Sequence, residues 1–304
     1  MSKNTSLTTV AFVGQPNVGK STLLNALVGT KIAATTRKPQ TTRRIIRGIK
    51  TLGNCQQIYF DTPGAMRKET GLDHFMHAQI FQAIDDVEQV VAMVDAKDSP
   101  HKHLDFIKKI KSSTDKNGQN FFIAINKIDE IVNKTKLLAL IAHYTQELGD
   151  CEIIPISAMR KDGLQDLFQS LAKNAKEADF LFSEEFFTDA SEKDIVGEII
   201  REKAMLELTD ELPYKLAVTV EHFDESKREH QSKPLISIEA VLHVERKSQK
   251  AIVVGKGGQS IKMIGIRARK DIEHLLDCQV MLKLLVRVEP DWTTSAKGLR
   301  KLGY

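Results

Sequence analysis

Gly14-Gln15-Pro16-Asn17-Val18-Gly19-Lys20-Ser21 fits the pattern G-x-x-x-x-G-K-[ST] and decides the fold of the first part of the chain. An apolar run, Thr9 to Val13, precedes this stretch, and a helix-like run, Ser21 to Val28, follows it. A P-loop requires this order, because backbone N–H groups and the start of the helix then face the phosphates of a nucleotide. We therefore predict that Lys20 reaches the β- and γ-phosphates and that Ser21 ligates Mg²⁺.

Composition places the chain among ordinary globular proteins. It has 304 residues, of which 41% are hydrophobic and 28% are charged, a length that suggests about two domains. Residues Met1 to Thr9 are polar, and no run of about twenty apolar residues occurs in the sequence, so we expect neither secretion nor a membrane span. Three cysteines lie far apart and outside any C-x-x-C pattern, so neither a disulfide framework nor a zinc site is indicated. We expect a protein of the reducing cytoplasm.

Apolar runs alternate with longer mixed runs up to about residue 172, and several are followed directly by residues that could bind or react with a ligand. The runs are Val10–Val13, Gln57–Phe60, Val90–Val94, Phe121–Ile125 and Ile153–Ile156, and the residues that follow them are Gly14, Asp61, Asp95, Asn126 and Ser157. This alternation predicts an α/β fold, a doubly wound, mostly parallel sheet covered on both faces. Because ligands bind at the carboxyl ends of such strands, we expect the five residues to converge there.

Three further motifs complete a guanine-nucleotide site. Asn126-Lys127-Ile128-Asp129 follows a strand, and the Asp129 carboxylate can accept from both N1–H and the 2-amino group of guanine, which adenine lacks. Asp61-Thr62-Pro63-Gly64 offers an acidic residue for the Mg²⁺ shell and a Gly64 N–H that senses a γ-phosphate. The segment Ser157-Ala158 is placed for a backbone contact with guanine O6. Together they predict a GTP/GDP site with Mg²⁺.

A different pattern begins after Leu171. We predict a GTPase domain at 1–172, a linker at 173–190 whose Phe residues dock on a domain surface, an α+β domain at 191–290 and a basic tail at 291–304. Ser191 signals a helix to about Leu208, and alternating residues predict three strands. The loop Gly255-Lys256-Gly257-Gly258, of the form G-x-x-G, lies between the second and third strands, before a helical run from Ser260 to Leu276.

Charge separates the two parts of this second region. Residues 191–244 hold 7 Lys/Arg and 12 Asp/Glu, a net charge of −5, whereas residues 245–304 hold 13 and 6, a net charge of +7. The G-x-x-G loop lies in the basic part, which favours an anionic partner, although two solvated faces of one domain would give the same counts. Trp292, Tyr304 and the basic residues of the tail suit either single-stranded nucleic acid or a helix packed on the domain.

These motifs resemble the Era-type GTPases, which are related to translation factors, over nearly the whole chain. Matching segments besides the nucleotide motifs are Gln40-Thr41-Thr42-Arg43, Glu198-Ile199-Ile200-Arg201-Glu202-Lys203, Glu211-Leu212-Pro213-Tyr214, Val244-Glu245-Arg246 and Ala268-Arg269-Lys270-Asp271. The resemblance implies that Thr42 is the switch threonine that joins Mg²⁺ with Ser21 and Asp61, with Thr41 as the adjacent alternative. We take Lys20, Thr42, Asp61 and Gly64 as the catalytic residues.

Ala65 is a departure that matters for the rate. Many small GTPases carry a Gln at this place that orients the attacking water. Because alanine cannot do this, hydrolysis by this chain alone should be slow. In relatives that share this feature, a P-loop Asn can hold K⁺, which makes Asn17 a candidate ligand. The expected nucleotide-binding residues are Gly14, Gln15, Pro16, Asn17, Val18, Gly19, Lys20, Ser21, Asp61, Thr62, Pro63, Gly64, Ala65, Asn126, Lys127, Ile128, Asp129, Ser157 and Ala158.

The element order around the second loop resembles a type II KH domain. In that module the G-x-x-G loop clamps the backbone of about four unpaired nucleotides, and a neighbouring groove reads their bases. We expect Ile252, Val253, Ile261 and Ile264 to form the floor of the groove or the core. The expected RNA-binding residues are Lys250, Gly255, Lys256, Gly257, Gly258, Lys262, Arg267 and Lys270.

The resemblance implies a monomeric GTPase switch that acts in assembly of the small ribosomal subunit. Its expected partners are that subunit and its ribosomal RNA near the 3′ end, in the cytoplasm, with peripheral association at the inner face of the cell membrane kept open. Two alternatives remain. The second domain could dock a protein or a membrane surface, or the chain could be a GTP-powered RNA-modifying enzyme, although no catalytic cysteine, metal cluster or second cofactor loop favours the latter.

Overall fold

The computed structural model describes residues 4–65, 70–209, 212–229 and 234–304, which form two compact units. The first unit contains the described residues of Met1–Ile32, Thr42–Arg67 and Met76–Asp189. The second contains those of Ala33–Thr41, Lys68–Phe75 and Ala190–Tyr304. Two short segments from the first part of the chain therefore belong to the second unit, which the predicted boundaries did not anticipate. Glu211 of the matched motifs lies outside the described residues.

The first unit alternates strands and helices, as the apolar runs predicted. Its strands are β1 (Ser6–Gly14), β2 (Ile46–Leu52), β3 (Cys55–Asp61), β4 (Gln89–Asp95), β5 (Asn120–Asn126), β6 (Glu152–Pro155) and β7 (Lys176–Glu177). Its helices are α1 (Lys20–Val28), α2 (Gly71–Asp85, whose first turn belongs to the second unit), α3 (His101–Asn117), α4 (Lys134–Leu148) and α5 (Leu164–Ala172).

One seven-stranded sheet organises this unit in the order β2-β3-β1-β4-β5-β6, with β7 paired to β1. The strands β3, β1, β4, β5 and β6 run parallel, whereas β2 and β7 are antiparallel to their neighbours. The central strands are buried on both faces, because helices cover both sides. The predicted doubly wound sheet is confirmed, and its register places Asp95 beside Asn126 at the carboxyl edge.

Residues 173–189 of the predicted linker are part of the first unit and attach through their backbone. Ile49 N–H donates to the Phe187 carbonyl at 2.9 Å, and the Gln56 side-chain amide donates to the Phe182 carbonyl at 2.8 Å. The aromatic rings contribute less than predicted, since the exposed fractions are 54% for Phe186 and 38% for Phe187. The expected docking therefore fails for these two rings, whereas Phe180 and Phe182 are half-buried. Hydrogen bonds to β2 and β3 hold it instead.

The second unit has a three-stranded sheet accompanied by helices. Its elements are α6 (Glu192–Glu207), β8 (Ala217–Lys227), β9 (Leu235–Val244), α7 (Lys247–Val254), α8 (Gln259–Leu276), β10 (Gln279–Val288) and α9 (Ala296–Lys301). The sheet order is β10-β9-β8, with β10 parallel and β8 antiparallel to β9. The Ser191 hydroxyl accepts from the N–H of Asp194, which confirms the predicted helix start.

The tail packs on the second unit. Trp292 is fully buried, stacks on Tyr304 with ring centroids 5.6 Å apart, and donates its indole N–H to the Lys215 carbonyl at 3.2 Å. Of the two interpretations that the sequence left open, the structure supports a packed helix, because these aromatic faces are occupied. Within the described parts of the chain, we find no helix with the length and apolar character needed to cross a membrane.

Candidate functional site

The P-loop lies between β1 and α1 and holds its lysine inward. Lys20 is 6% exposed, and its ammonium donates to the carbonyls of Gly14 and Gln15 at 3.1 Å each. Burial lowers the pKa of Lys20 to about 8, although the Asp61 carboxylate raises it. The loop thus presents a buried cation where the phosphates of a nucleotide are expected. A negative phosphate would offset the desolvation of this ammonium.

Three oxygen-bearing side chains meet beside the loop. The Ser21 hydroxyl lies 2.6 Å from Asp61 Oδ2 and 2.7 Å from the Thr42 hydroxyl, and Thr42 donates to the same Asp61 oxygen at 3.3 Å. Asp61 is fully buried and Thr42 is 7% exposed. Hard oxygen ligands that include one carboxylate fit Mg²⁺. The residues expected to hold this ion are therefore brought together.

The same geometry distinguishes the two candidate switch threonines. Thr41 belongs to the second unit, where its hydroxyl lies 2.7 Å from that of Thr36 and donates to the Lys38 carbonyl at 2.8 Å. Thr42, by contrast, contacts Ser21 and Asp61. The predicted assignment to Thr42 is the one that the structure favours.

The Asp61-Thr62-Pro63-Gly64 segment runs against the P-loop. Thr62 donates to the Phe12 carbonyl at 2.7 Å, and a Cβ atom on Gly64 would lie 2.8 Å from the Pro16 backbone. Only glycine therefore allows this close approach. The N–H of Ala65 donates to the Gly14 carbonyl at 3.1 Å, and its methyl group packs against the core of the sheet. This position has no side-chain group that could orient water.

The predicted guanine-reading loop is anchored to the P-loop and to the segment after β6. The Asn126 amide donates to the Val18 carbonyl at 2.8 Å, and its oxygen accepts from the N–H of Ala158 at 3.0 Å. The Ser157 hydroxyl donates to Asp129 Oδ1 at 2.6 Å. These bonds fix the carboxylate that is expected to read guanine, and they give Ser157 a role that the sequence did not predict.

The predicted contact between Ser157-Ala158 and guanine O6 remains a prediction. Both N–H groups have protein partners, because that of Ser157 donates to the Asp162 carbonyl at 3.0 Å and that of Ala158 donates to Asn126. Lys127 adds a contact that the motif alone did not indicate. Its ammonium donates to the Asn17 carbonyl at 2.7 Å and forms an ion pair with Asp95, so β4 also shapes the pocket.

The G-x-x-G loop connects α7 to α8 in the second unit. Gly257 and Gly258 have φ values of +59° and +79°, a left-handed conformation that favours glycine, and a Cβ atom on either would meet nothing within 4 Å. Open space above the backbone is what close contact with a sugar-phosphate chain needs. The loop also precedes the N-terminus of α8, where backbone N–H groups favour an anion.

A cleft of about 300 Å³ lies beside this loop between α8 and β10. The side chains that line it are Ile261, Lys262, Gly265, Ile266, Arg269, Leu282 and Leu284. Of the four residues expected in the floor of the groove or in the core, Ile261 lines the cleft. Val253 and Ile264 are fully buried core residues, and Ile252 does not line the cleft.

The predicted basic residues separate into two groups. Arg267 donates to Glu207 at 2.8 Å on the side of α8 that faces α6, and its placement in the RNA-binding set stays a prediction. Arg269 lines the cleft instead. Among the described residues, none lies within ion-pair distance of the four exposed lysines Lys250, Lys256, Lys262 and Lys270. These lysines remain available to an anionic ligand.

Comparisons with known proteins match both parts of the chain. A family model described as "50S ribosome-binding GTPase" matches residues 9–127, and a KH-domain model matches residues 211–293. The chain is 40% identical to GTPase Era of Ruminiclostridium cellulolyticum, over 97% of this chain and 96% of the relative. It is 41% identical to GTPase Era of Pseudomonas fluorescens, over 97% and 95%.

Two solved structures are similar over nearly the full length. A point variant of Aquifex aeolicus Era bound to GDP and AlF₄⁻ has a TM-score of 0.90 and 34% identity, and the match covers 98% of this chain and 99% of that one. Era in complex with MgGDPNP and nucleotides 1506–1542 of 16S ribosomal RNA has a TM-score of 0.91 and 34% identity, with 99% of each chain covered. Similarity at this level extends through both units.

Proposed function

This chain belongs to the Era family of GTPases, and we propose that it is a GTP-driven switch that binds single-stranded small-subunit ribosomal RNA during assembly of that subunit. The observation that carries this proposal is the presence, in one chain, of the nucleotide-binding motifs around the P-loop and of a KH domain with a cleft lined by Lys262 and Arg269. The family-model description mentions the 50S subunit, whereas the solved relative that aligns over 99% of this chain holds 16S nucleotides. The full-length match supports the small subunit, with RNA near its 3′ end as the target.

The reaction we propose is transfer of the γ-phosphoryl group of GTP to water, which gives GDP and phosphate. When bound, Mg²⁺ would neutralise charge on the β- and γ-phosphates. Ser21, Thr42 and Asp61 would hold that ion, because their oxygens already lie within 3.3 Å of one another. Lys20 would stabilise negative charge on the phosphates, and the Gly64 N–H would contact the γ-phosphate.

The rate of this reaction should be low without a partner. Positioning and charge stabilisation supply most of the catalysis in this reaction class, and Ala65 contributes no group that orients the attacking water. We propose that K⁺ bound at Asn17 supplies additional positive charge. Turnover should then be faster in K⁺ than in Na⁺ at equal ionic strength, and Asn17→Ala should remove the difference. Equal wild-type rates in the two salts would exclude this role.

The RNA-binding part of the proposal assigns separate tasks to loop and cleft. Gly257 and Gly258 would let the sugar-phosphate chain lie on the protein backbone, with Lys256 and Lys262 pairing to phosphates. The apolar walls of the cleft would accept unstacked bases. Because Arg269 lines the cleft, it joins the proposed RNA-binding set.

The test uses a labelled RNA with the sequence of nucleotides 1506–1542 of 16S ribosomal RNA. Lys256→Glu and Lys262→Glu should each weaken binding and reduce its salt dependence, and the double variant Gly257→Asp/Gly258→Asp should abolish it. Lys193→Glu is the matched control, since it changes the net charge equally at an exposed position on α6. GTP turnover should stay normal in all four. Retained RNA binding in the double variant would refute the KH assignment and favour a domain that docks a protein or a membrane surface.

We propose that the chain acts as a monomer in the cytoplasm, where small ribosomal subunits are assembled. Association with the inner face of the cell membrane would be peripheral. Sedimentation of the purified protein, and fractionation of cells into cytosol, ribosomes and membranes, would test both parts. Recovery mainly in a dimer or in the membrane fraction would contradict them.

A further inference from the structure

Helix α6 holds the segment 33–41, which directly precedes the proposed switch threonine. Glu202 accepts the N–H of Thr35 with its Oε2 at 2.8 Å. Arg201 donates an N–H of its guanidinium to the carbonyl of Thr41. All of these residues belong to the second unit. The segment is thus fixed near its beginning and at its last residue by two adjacent side chains.

Lys38 of this segment strengthens the attachment. Lys38 donates its ammonium to the carbonyls of Met205 and Leu208, at the end of α6. The last carbonyls of a helix have no intrahelical partner and carry partial negative charge, so a lysine is favoured there. The loop that precedes the switch threonine therefore caps the helix that holds it.

Arg201 is almost fully buried, so its guanidinium needs hydrogen-bond acceptors within the protein. Its side chain is 1% exposed, and its Nε donates to Glu198 Oε1 at 3.0 Å. A buried guanidinium is destabilising unless its N–H groups are paired. The Thr41 carbonyl is one of the required acceptors, and Thr41 is joined by one peptide bond to Thr42. A displacement of α6 relative to Thr41 would leave a buried charge poorly paired.

The same helix is connected to the helix that lines the RNA cleft. Lys203 lies between Glu202 and Asp271 of α8, with its ammonium 2.9 Å from Glu202 Oε1 and 2.5 Å from Asp271 Oδ2. Its side chain is 11% exposed, so solvent screens these contacts only partly. A continuous polar path therefore runs from α8 through Lys203 and Glu202 to the backbone of Thr35.

We propose that Arg201 and Glu202 are positioning residues for Thr42, and that Lys203 makes this position depend on α8. The inference rests on the proposed function, because it gives a physical route by which RNA in the cleft and GTP in the P-loop influence each other. Such influence must be reciprocal, so each ligand changes the affinity for the other by the same factor.

The first experiment replaces Arg201 by Lys. A lysine keeps the charge but cannot bind the Glu198 carboxylate and the Thr41 carbonyl with one planar fork. The affinity for a non-hydrolysable GTP analogue, measured in the presence of Mg²⁺, should fall about tenfold. The affinity for GDP should stay within about twofold, because only GTP recruits the switch threonine. Arg228→Lys, at an arginine that pairs with Glu192, is the matched control. An unchanged ratio of GTP-analogue to GDP affinity, or an equal loss of both, would overturn the assignment.

The second experiment replaces Lys203 by Met, with Lys193→Met as the control on the same helix. The readout is the ratio of RNA dissociation constants in GDP and in the GTP analogue, measured with an RNA of 16S nucleotides 1506–1542. RNA affinity in GDP should remain within about twofold, while the ratio falls toward one. A wild-type ratio of one, or a ratio unchanged in Lys203→Met, would overturn the inference. Loss of RNA binding by the wild type itself would instead contradict the proposed function.

Discussion

Affinity for guanine nucleotides should depend on pH through Lys20. Burial lowers the pKa of this ammonium to about 8 in the free protein. Bound phosphates favour the charged form and raise the pKa, so above pH 8 binding requires uptake of a proton. Because the bound state has the higher pKa, affinity is complete well below pH 8 and falls as pH rises above that value, until the pKa of the bound state is reached.

The size of the effect follows from the protonated fraction of Lys20 in the free protein. With a pKa of about 8, this fraction is about three quarters at pH 7.5 and about one tenth at pH 9, so the GDP dissociation constant should rise about eightfold. Calorimetry in buffers of different ionisation enthalpy would measure both the affinity and the proton uptake. GMP is the control, since its base titrates identically but it has no β-phosphate for Lys20. Equal pH dependence for GDP and GMP would refute the reasoning.

Three further predictions test the base site, the tail and the core. Asp129→Asn should lower GTP affinity by at least about a hundredfold and favour XTP, because the amide N–H can pair with the 2-oxo group of xanthine. Displacement of labelled nucleotide would measure both affinities. An unchanged preference for GTP would contradict the role of Asp129. Trp292→Ala should lower the free energy of unfolding by about 3 to 5 kcal/mol, because it empties a fully buried site; a loss under about 1 kcal/mol in urea titration would contradict this packing. Gly48→Ala should be destabilising by about 1 to 3 kcal/mol, since its Cβ would lie 2.5 Å from Leu24 Cδ1. Gly197→Ala on α6, whose Cβ would lie 3.8 Å from Val220, should instead be stabilising by up to about 1 kcal/mol, and equal effects would argue against the contact at Gly48.

The nucleotide site was the most predictable part, because each motif follows a strand of one parallel sheet. Once Asp61 and Asn126 are placed at strand ends, the topology brings them to the same edge of the sheet. The edge strand β2 was not predicted, since Ile46–Leu52 mixes polar residues and glycine and pairs antiparallel. Its pairing depends on the turn at Gly53 and Asn54 rather than on a continuous apolar run.

The RNA cleft was less predictable, because which side of a helix faces a groove depends on rotation about the helix axis. Residues of α8 that are neighbours in sequence lie on different faces, so Arg269 lines the cleft while Arg267 reaches α6. The apolar character of an isoleucine also could not indicate that Ile264 belongs to the core whereas Ile266 lines the cleft. The contact between Arg201 and Thr41 spans 160 residues, and no local pattern could indicate it.

The long sequence separation between Thr41 and Arg201 has a consequence for synthesis of the chain. Thr41 leaves the ribosome 160 residues before Arg201. At typical elongation rates, this delay is roughly 8 to 32 s. The first unit can form its sheet in that interval, but the segment before the switch threonine must wait for α6. The nascent protein thus forms its phosphate-binding loop well before it forms the contacts that restrain its switch threonine. A chain that binds GTP during synthesis would therefore bind it without the restraint that α6 later imposes.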